Sequence, residues 1–129
     1  MSPISKAPAD TRVLLVDDEP ALLKALARHL EYEGIEVKTC ESAAKALELL
    51  DAERFDVVVS DIAMPTMSGV ELLRAVKSSR RHLPVILITG APDVRTAVQA
   101  LELGAFKYLL KPIDSKEFTE VVHRAAKIQ

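Results

Sequence analysis

The amino-acid sequence predicts an α/β domain of the doubly wound type: a five-stranded parallel sheet with helices on both faces. Three observations predict it. Short apolar runs rich in β-branched residues recur at Val13-Leu14-Leu15-Val16, Val57-Val58-Val59 and Val85-Ile86-Leu87-Ile88, each about the length of a strand. The runs are apolar throughout rather than alternating, which suits strands buried on both faces. Segments with helical spacing lie between them, in a chain of 129 residues that has room for one domain.

Residues 1 to 10, MSPISKAPAD, mix Pro, Ser and Ala without a period and read as a flexible leader, with the domain proper over 11–129. The run at Val13 is the first strand. Leu22, Leu23, Leu26, Ala27 and Leu30 then fall on one stripe, with Lys24, Arg28 and Glu31 elsewhere, so residues 20–32 form an amphipathic helix that Gly34 ends. A weaker strand follows at Ile35 to Thr39, then a helix from Ser42 to about Glu53. After the third strand at Val57, a helix runs from Ser68 to about Ser79. After the fourth, at Val85, comes a helix from Asp93 to Leu103, closed by Gly104. A second weak strand, Phe106 to Leu110, precedes the last helix, Asp114 to about Lys127. Ser68 with Glu71 and Asp114 with Glu117 have the spacing of capping boxes.

Composition narrows the function classes. The 19 Asp and Glu against 17 Lys and Arg leave a formal charge of −2, without the basic footprint of an autonomous nucleic-acid-binding domain. No apolar run approaches the length of a membrane span, and the polar start lacks the apolar core of a signal peptide. The single Cys, Cys40, cannot form an internal bridge and fits a reducing cytoplasm. Cys40 is placed at the end of the second strand, away from the candidate site, and is assigned no function. His29, His82 and His123 have no ligand spacing and read as solvated surface histidines.

Five alternating strand–helix units with right-handed crossovers favour the flavodoxin-like strand order 2-1-3-4-5. That order sets strands 1 and 3 side by side at the topological switch point, and ligands bind outside their carboxyl ends. The residues there are Asp17, Asp18 and Asp61. Three carboxylates at adjacent strand ends repel one another, and a hard divalent cation such as Mg²⁺ relieves the repulsion through oxygen ligands. Strand 4 ends in Thr89 and strand 5 in Lys111, which add a hydroxyl and a compact positive charge to the same rim. A carboxylate in such a setting can act as a nucleophile toward a phosphoryl group. Asp61, alone at the end of the third strand, is the candidate acceptor. Removing Asp17, Asp18 and Asp61 from the 19 acids and Lys111 from the 17 bases leaves 16 of each, so the whole formal −2 falls at one rim.

These residues resemble the receiver domain of two-component response regulators. Val16-Asp17-Asp18-Glu19-Pro20 is similar to that family's acidic-pair segment. Ser60-Asp61-Ile62-Ala63-Met64-Pro65, followed by Ser68-Gly69, resembles its phospho-acceptor loop, with Asp61 at the phosphorylated position. Ile88-Thr89-Gly90 resembles the switch-hydroxyl segment, and Leu110-Lys111-Pro112 the lysine segment, whose Lys-Pro bond is typically cis in the family. Tyr108 matches an aromatic position that turns inward when the threonine moves. The match runs from about Arg12 to Lys127 with all four segments in order.

The resemblance implies a phospho-accepting signalling switch, not an enzyme acting on other substrates, that catalyses only its own phosphorylation and slow dephosphorylation. It implies Mg²⁺ held by Asp17, Asp18, Asp61 and the backbone carbonyl of Ala63, and a histidine kinase or phosphotransfer protein as donor. It further implies a shift of Thr89, Tyr108 and the face formed by helix 4, strand 5 and helix 5, controlling an output domain or downstream partner. A homodimer on phosphorylation is left open, and neither direct nucleic-acid binding nor membrane association is expected. Ala63 departs from the family, which often has a polar side chain there. Lys107 stands where the winged-helix transcription-factor subfamily commonly has Asp. The chain stops at the close of the last helix, which reads as either a stand-alone receiver or a longer regulator cut short, the helix-forming end favouring the second.

Three other functions compete with this one. A metal-dependent phosphohydrolase commonly needs a second acid two residues after the nucleophile, where Ala63 stands. A flavin- or nucleotide-binding module would want a Gly- or Ser/Thr-rich loop after strand 1, where Asp-Asp-Glu-Pro repels phosphate. A receiver-like domain that never takes phosphate is not required by any position, since all five key residues are present.

Overall fold

The computed structural model describes residues 7–128. Ten elements alternate along the described residues: β1 (Arg12–Val16), α1 (Pro20–Tyr32), β2 (Glu36–Cys40), α2 (Ala43–Ala52), β3 (Val57–Asp61), α3 (Gly69–Ser79), β4 (Val85–Thr89), α4 (Val94–Glu102), β5 (Lys107–Leu110) and α5 (Ser115–Ala126). The sheet is parallel throughout, in the order β2-β1-β3-β4-β5 that the sequence predicts. Of the predicted leader, residues 1–6 lie outside the described residues, and Pro8 to Thr11 form a turn closed by the Thr11 N–H and hydroxyl on the Pro8 carbonyl.

The apolar runs are continuous because the two sides of each strand serve different cores. Val13, Leu15, Val57, Val59, Ile86 and Ile88 pack with α1 and α5, around the fully buried Phe118. Leu14, Val16, Val58, Val85 and Leu87 pack mainly with α2 and α3 on the other face. Successive side chains point to opposite faces of a strand, so a run of five apolar residues fills both layers. On this second face α4 buries only Ala100 and leaves Val94, Val98 and Leu101 exposed.

Each helix begins on a local signal. Ser42 and Asp93 accept a hydrogen bond from the third backbone N–H beyond them, and Ser68 with Glu71 completes a reciprocal box. Asp114 caps α5 through the N–H groups of Lys116 and Glu117, but Glu117 makes no return bond, so that box is half formed. Gly34 and Gly104, at φ +84° and +86°, adopt the left-handed conformation just past α1 and α4 that other residues reach only with strain. Helix α1 is the exception: Pro20 opens it and Glu19, at the cap position, makes no capping bond with its side chain.

Two sequence expectations need amendment. His123 is not a solvated surface histidine: it is 4% exposed on the face of α5 that also carries Thr119, and Ala7 donates its N–H to Nδ1 at 2.9 Å. His29 is half-buried and His82 exposed. Cys40 adjoins the acidic rim through its backbone, since its carbonyl accepts the Asp17 N–H at 3.2 Å. Its thiol is buried, and burial pushes it up to about 11. Thiolate is the reactive form, so Cys40 should alkylate slowly at pH 8 and accelerate only as pH approaches 11. Mass spectrometry after iodoacetamide treatment at a pH series checks this, and rapid labelling at pH 8 would contradict it. No helix among the described residues is long and apolar enough to cross a membrane.

Candidate functional site

The site is built at the carboxyl ends of β1, β3, β4 and β5. Val16 pairs in register with Ser60, so Asp17, one residue on, stands beside Asp61, the last residue of β3. Asp61 in turn pairs with Ile88, and Thr89 with Leu110, which brings Thr89 and Lys111 to the same rim. Backbone bonds fix the frame: Ile62 N–H to the Ile88 carbonyl at 2.9 Å and Lys111 N–H to the Thr89 carbonyl at 2.8 Å. The bond between Lys111 and Pro112 is cis.

Asp17, Asp18 and Asp61 each offer a carboxylate oxygen within 4.8 Å of the others. Asp17 and Asp61 are buried, at 3% and 4% exposure, while Asp18 faces outward. Lys111 Nζ lies 3.3 Å from Asp17 Oδ2 and 3.3 Å from Asp61 Oδ1. Its shortest contact is to Glu19 Oε1, at 2.8 Å. Glu19 was not singled out from the sequence, although it directly follows the acidic pair; its side chain turns away from the cap of α1 to meet an ammonium 92 residues distant.

Burial dominates the electrostatics of Asp17 and Asp61. It pushes the Asp17 carboxyl up, opposed by the Glu19 N–H donating to Oδ1 and by Lys111. Burial also pushes Asp61 up, and repulsion from Asp17 adds to it while Lys111 opposes it. For Lys111 burial alone would favour the neutral amine, but the hydrogen bond to Glu19 and the charges of Asp17 and Asp61 outweigh it and hold the ammonium protonated. Three carboxylates thus contact one fixed cation, and Asp18 joins two of them in the acidic cluster. Clustered oxygen donors carrying more negative charge than one ammonium can balance fit a hard divalent cation.

The remaining expected residues divide. Thr89 is buried, and its hydroxyl accepts the Ala91 N–H at 3.0 Å. Ala63 is exposed in the loop after β3, and its carbonyl accepts no hydrogen bond among the described residues. Tyr108 is half-buried and stands apart from the acids, with its hydroxyl 3.2 Å from Thr96 Oγ1 on α4 and no hydrogen bond to Thr89. In the same loop Thr66 has φ +69°, uncommon for a β-branched residue. The loop returns to the sheet at Gly69, whose N–H donates to the Ile62 carbonyl at 2.9 Å. A Cβ on Gly69 would lie 2.3 Å from the Asp61 carbonyl oxygen, so α3 starts where only glycine fits.

The rim is open. A cleft of about 720 Å³ lined by Leu50, Arg54, Phe55, Arg81 and His82 lies instead at the opposite end of the sheet, beside the starts of β3 and β4.

Comparison with known proteins agrees with this geometry. Residues 13–123 match the response regulator receiver domain. The C4-dicarboxylate transport transcriptional regulatory protein DctD of Pseudomonas aeruginosa is 43% identical over 129 residues, which is 100% of this chain and 28% of that protein. The DNA-binding transcriptional regulator NtrC of Escherichia coli is 42% identical over 113 residues, covering 88% of this chain and 24% of that protein. The chain thus spans about a quarter of the length of these curated relatives. Among solved structures, a CheY-like receiver domain protein from Methanospirillum hungatei superposes with a TM-score of 0.88 at 32% identity, over 91% of this chain and 94% of that one. A receiver domain protein from Clostridium thermocellum gives 0.85 at 34% identity, over 90% and 94%. With the strand order, the acidic rim and the matched residues in agreement, the chain belongs to the response regulator receiver domain family.

Proposed function

We propose that Asp61 is the phospho-acceptor of a two-component signalling switch, with the receiver unit over residues 11–129. The observation that carries this reading is the placement of Lys111 at 3.3 Å from both buried carboxylates, with Asp18 completing the acidic set. Asp17, Asp18, Asp61 and the Ala63 carbonyl would hold Mg²⁺, which when bound neutralises charge on the transferring group. An Asp61 oxygen attacks phosphorus in line, the bond from phosphorus to the donor's imidazole nitrogen breaks, and the imidazole leaves with a proton from solvent. Lys111 is placed to contact a phosphoryl oxygen as a point charge. Thr89 accepts the Ala91 N–H on its oxygen, which leaves its own O–H to donate to another phosphoryl oxygen.

The donor is a histidine kinase or phosphotransfer protein in the cytoplasm, which would approach the rim at the exposed Asp18 and Glu19. The domain turns over nothing but its own phosphoryl group, and an output domain or downstream partner responds to the altered Thr89, Tyr108 and the face formed by α4, β5 and α5. The test is intact-mass measurement after incubation with Mg²⁺ and acetyl phosphate or phosphoramidate. One phosphoryl mass should appear, disappear with hydroxylamine as an acyl phosphate does, and fail to form with EDTA. No gain from these donors or from a phosphorylated histidine phosphotransfer protein would overturn the reading, as would a modification that resists hydroxylamine.

A further inference from the structure

His123 is a buried titratable group that the phosphoryl chemistry does not use. Its two ring nitrogens have different surroundings. Nδ1 accepts the Ala7 N–H at 2.9 Å, across 116 residues of sequence. Nε2 is buried without a hydrogen-bond partner, and Glu33 Oε1 stands 3.6 Å from it, too far for a good bond. An accepting Nδ1 carries no proton, so the ring as placed is neutral with its proton on Nε2.

Adding the second proton reverses both contacts. Nδ1–H would then face the Ala7 N–H, donor against donor, and the bond to the leader is lost. Nε2–H becomes a charged donor aimed at a carboxylate that needs to approach by less than 1 Å to form a charge-assisted bond. The groups around the ring leave Glu33 as its nearest charge. From α1 come Glu33 and, one turn earlier, His29; β3 turns only Val57 and Val59 toward α5. Helix α5 itself places Glu120 and Lys127 one turn to either side, and the leader contributes Asp10. The segment from Ala7 to Asp10 is also lightly seated. Ala7 packs on the edge of the α1–α5 core, and a cleft of about 500 Å³ lined in part by Pro8, Asp10, Thr11, Ala126 and Lys127 remains between the leader and the end of α5.

We propose that His123 is a proton-sensitive latch: neutral, it holds the leader at Ala7 against α5; protonated, it releases the leader and pairs with Glu33. Imidazole is the side chain suited to such a change near neutral pH. The latch is independent of phosphorylation at Asp61. Release would bare the last turn of α5, where His123, Ala126 and Lys127 lie.

The experiment is a pH titration of the ¹⁵N-labelled full chain by NMR between pH 8 and 5, following the Ala7 amide and the His123 ring. Both should titrate with one midpoint, and Ala7 exchange protection, relative to a random-coil reference, should fall at least ~10-fold below it, the loss of a hydrogen bond worth about 1.4 kcal/mol. Glu33→Gln should move the midpoint down by about 0.5 pH unit, a roughly threefold loss of proton affinity. His123→Gln, whose amide oxygen can accept the Ala7 N–H but does not titrate, should keep the leader in place at every pH. An Ala7 amide indifferent to pH while the ring titrates would overturn the proposal. So would a ring that stays neutral to pH 5, or a midpoint unmoved by Glu33→Gln.

Discussion

Asp61→Asn is expected to abolish phosphoryl uptake and, without divalent cation, to make the protein more stable. The first effect follows from losing the nucleophile: an amide oxygen forms no acyl phosphate, so the mass should stay at the unmodified value under conditions that label the wild type. The second follows from the charge balance. Burial and the nearby Asp17 raise the Asp61 carboxyl above its unfolded value. The folded state then holds a proton more tightly than the unfolded chain, so stability falls as pH rises from the ordinary carboxylate range through the raised value. At pH 7 the ionised Asp61 is a cost, and asparagine removes it while Lys111 keeps Asp17 and Glu19 as partners. Thermal unfolding at pH 7 in EDTA should show a Tm higher by about 2–4 °C, which corresponds to ~1 kcal/mol in a domain of this size. Mg²⁺ should stabilise the wild type more than the variant, because one of the three carboxylates is gone. A variant less stable than wild type in EDTA would mean that the Asp61–Lys111 attraction outweighs burial.

Gly69→Ala is expected to cost stability and acceptor geometry together. The added Cβ would fall 2.3 Å from the Asp61 carbonyl oxygen and 2.9 Å from Ile62 Cα, and both are backbone atoms. Neither can move cheaply. Ile62 is tied to β4 through Ile88, and Gly69 is itself tied to Ile62. The start of α3 must therefore lift, or the end of β3 must shift with Asp61 on it. Overpacking of this kind costs about 1–3 kcal/mol, and the rigid neighbours place this site at about 3. Urea denaturation should show a lower midpoint with an unchanged slope, and phosphorylation by acetyl phosphate should slow even where the variant is fully folded. Gly34→Ala makes the useful contrast: no atom lies within 4 Å of its added Cβ, and only its φ of +84° opposes the change. It should cost about 1 kcal/mol and leave phosphorylation alone.

What the sequence made legible was mostly local. The Ser42, Ser68, Asp93 and Asp114 caps and the closing Gly34 and Gly104 act within a few residues, and the helices begin and end where those residues put them. The valine run at 57–59 located β3, and Ser60 and Asp61 continue it to the end that the sequence predicts, although polar. Neighbouring strands and α3 bury them, and nothing within the run signals that. The acids at the switch point could be placed because strand order alone brings strand ends together. Pairings across long stretches of chain had no local trace: Glu19 with Lys111, and Ala7 with His123. The helical pattern of α5 marks Phe118, Val121, Val122 and Ala125 as core, and His123 looked solvated because its partner is a backbone N–H outside any element.

The sheet is more evenly built than the shell around it. Helix α5 buries seven of its residues and α3 five, whereas α4 buries Ala100 alone. Little apolar area would be surrendered if α4 slid, tilted or frayed at one end, so its range of motion is inexpensive in free energy compared with that of its neighbours. The Tyr108 hydroxyl meets α4 at Thr96, whose N–H and hydroxyl both reach the capping Asp93. A small rearrangement at the end of β4 or β5 thus acts on the most lightly ballasted helix of the fold, where a modest push travels furthest.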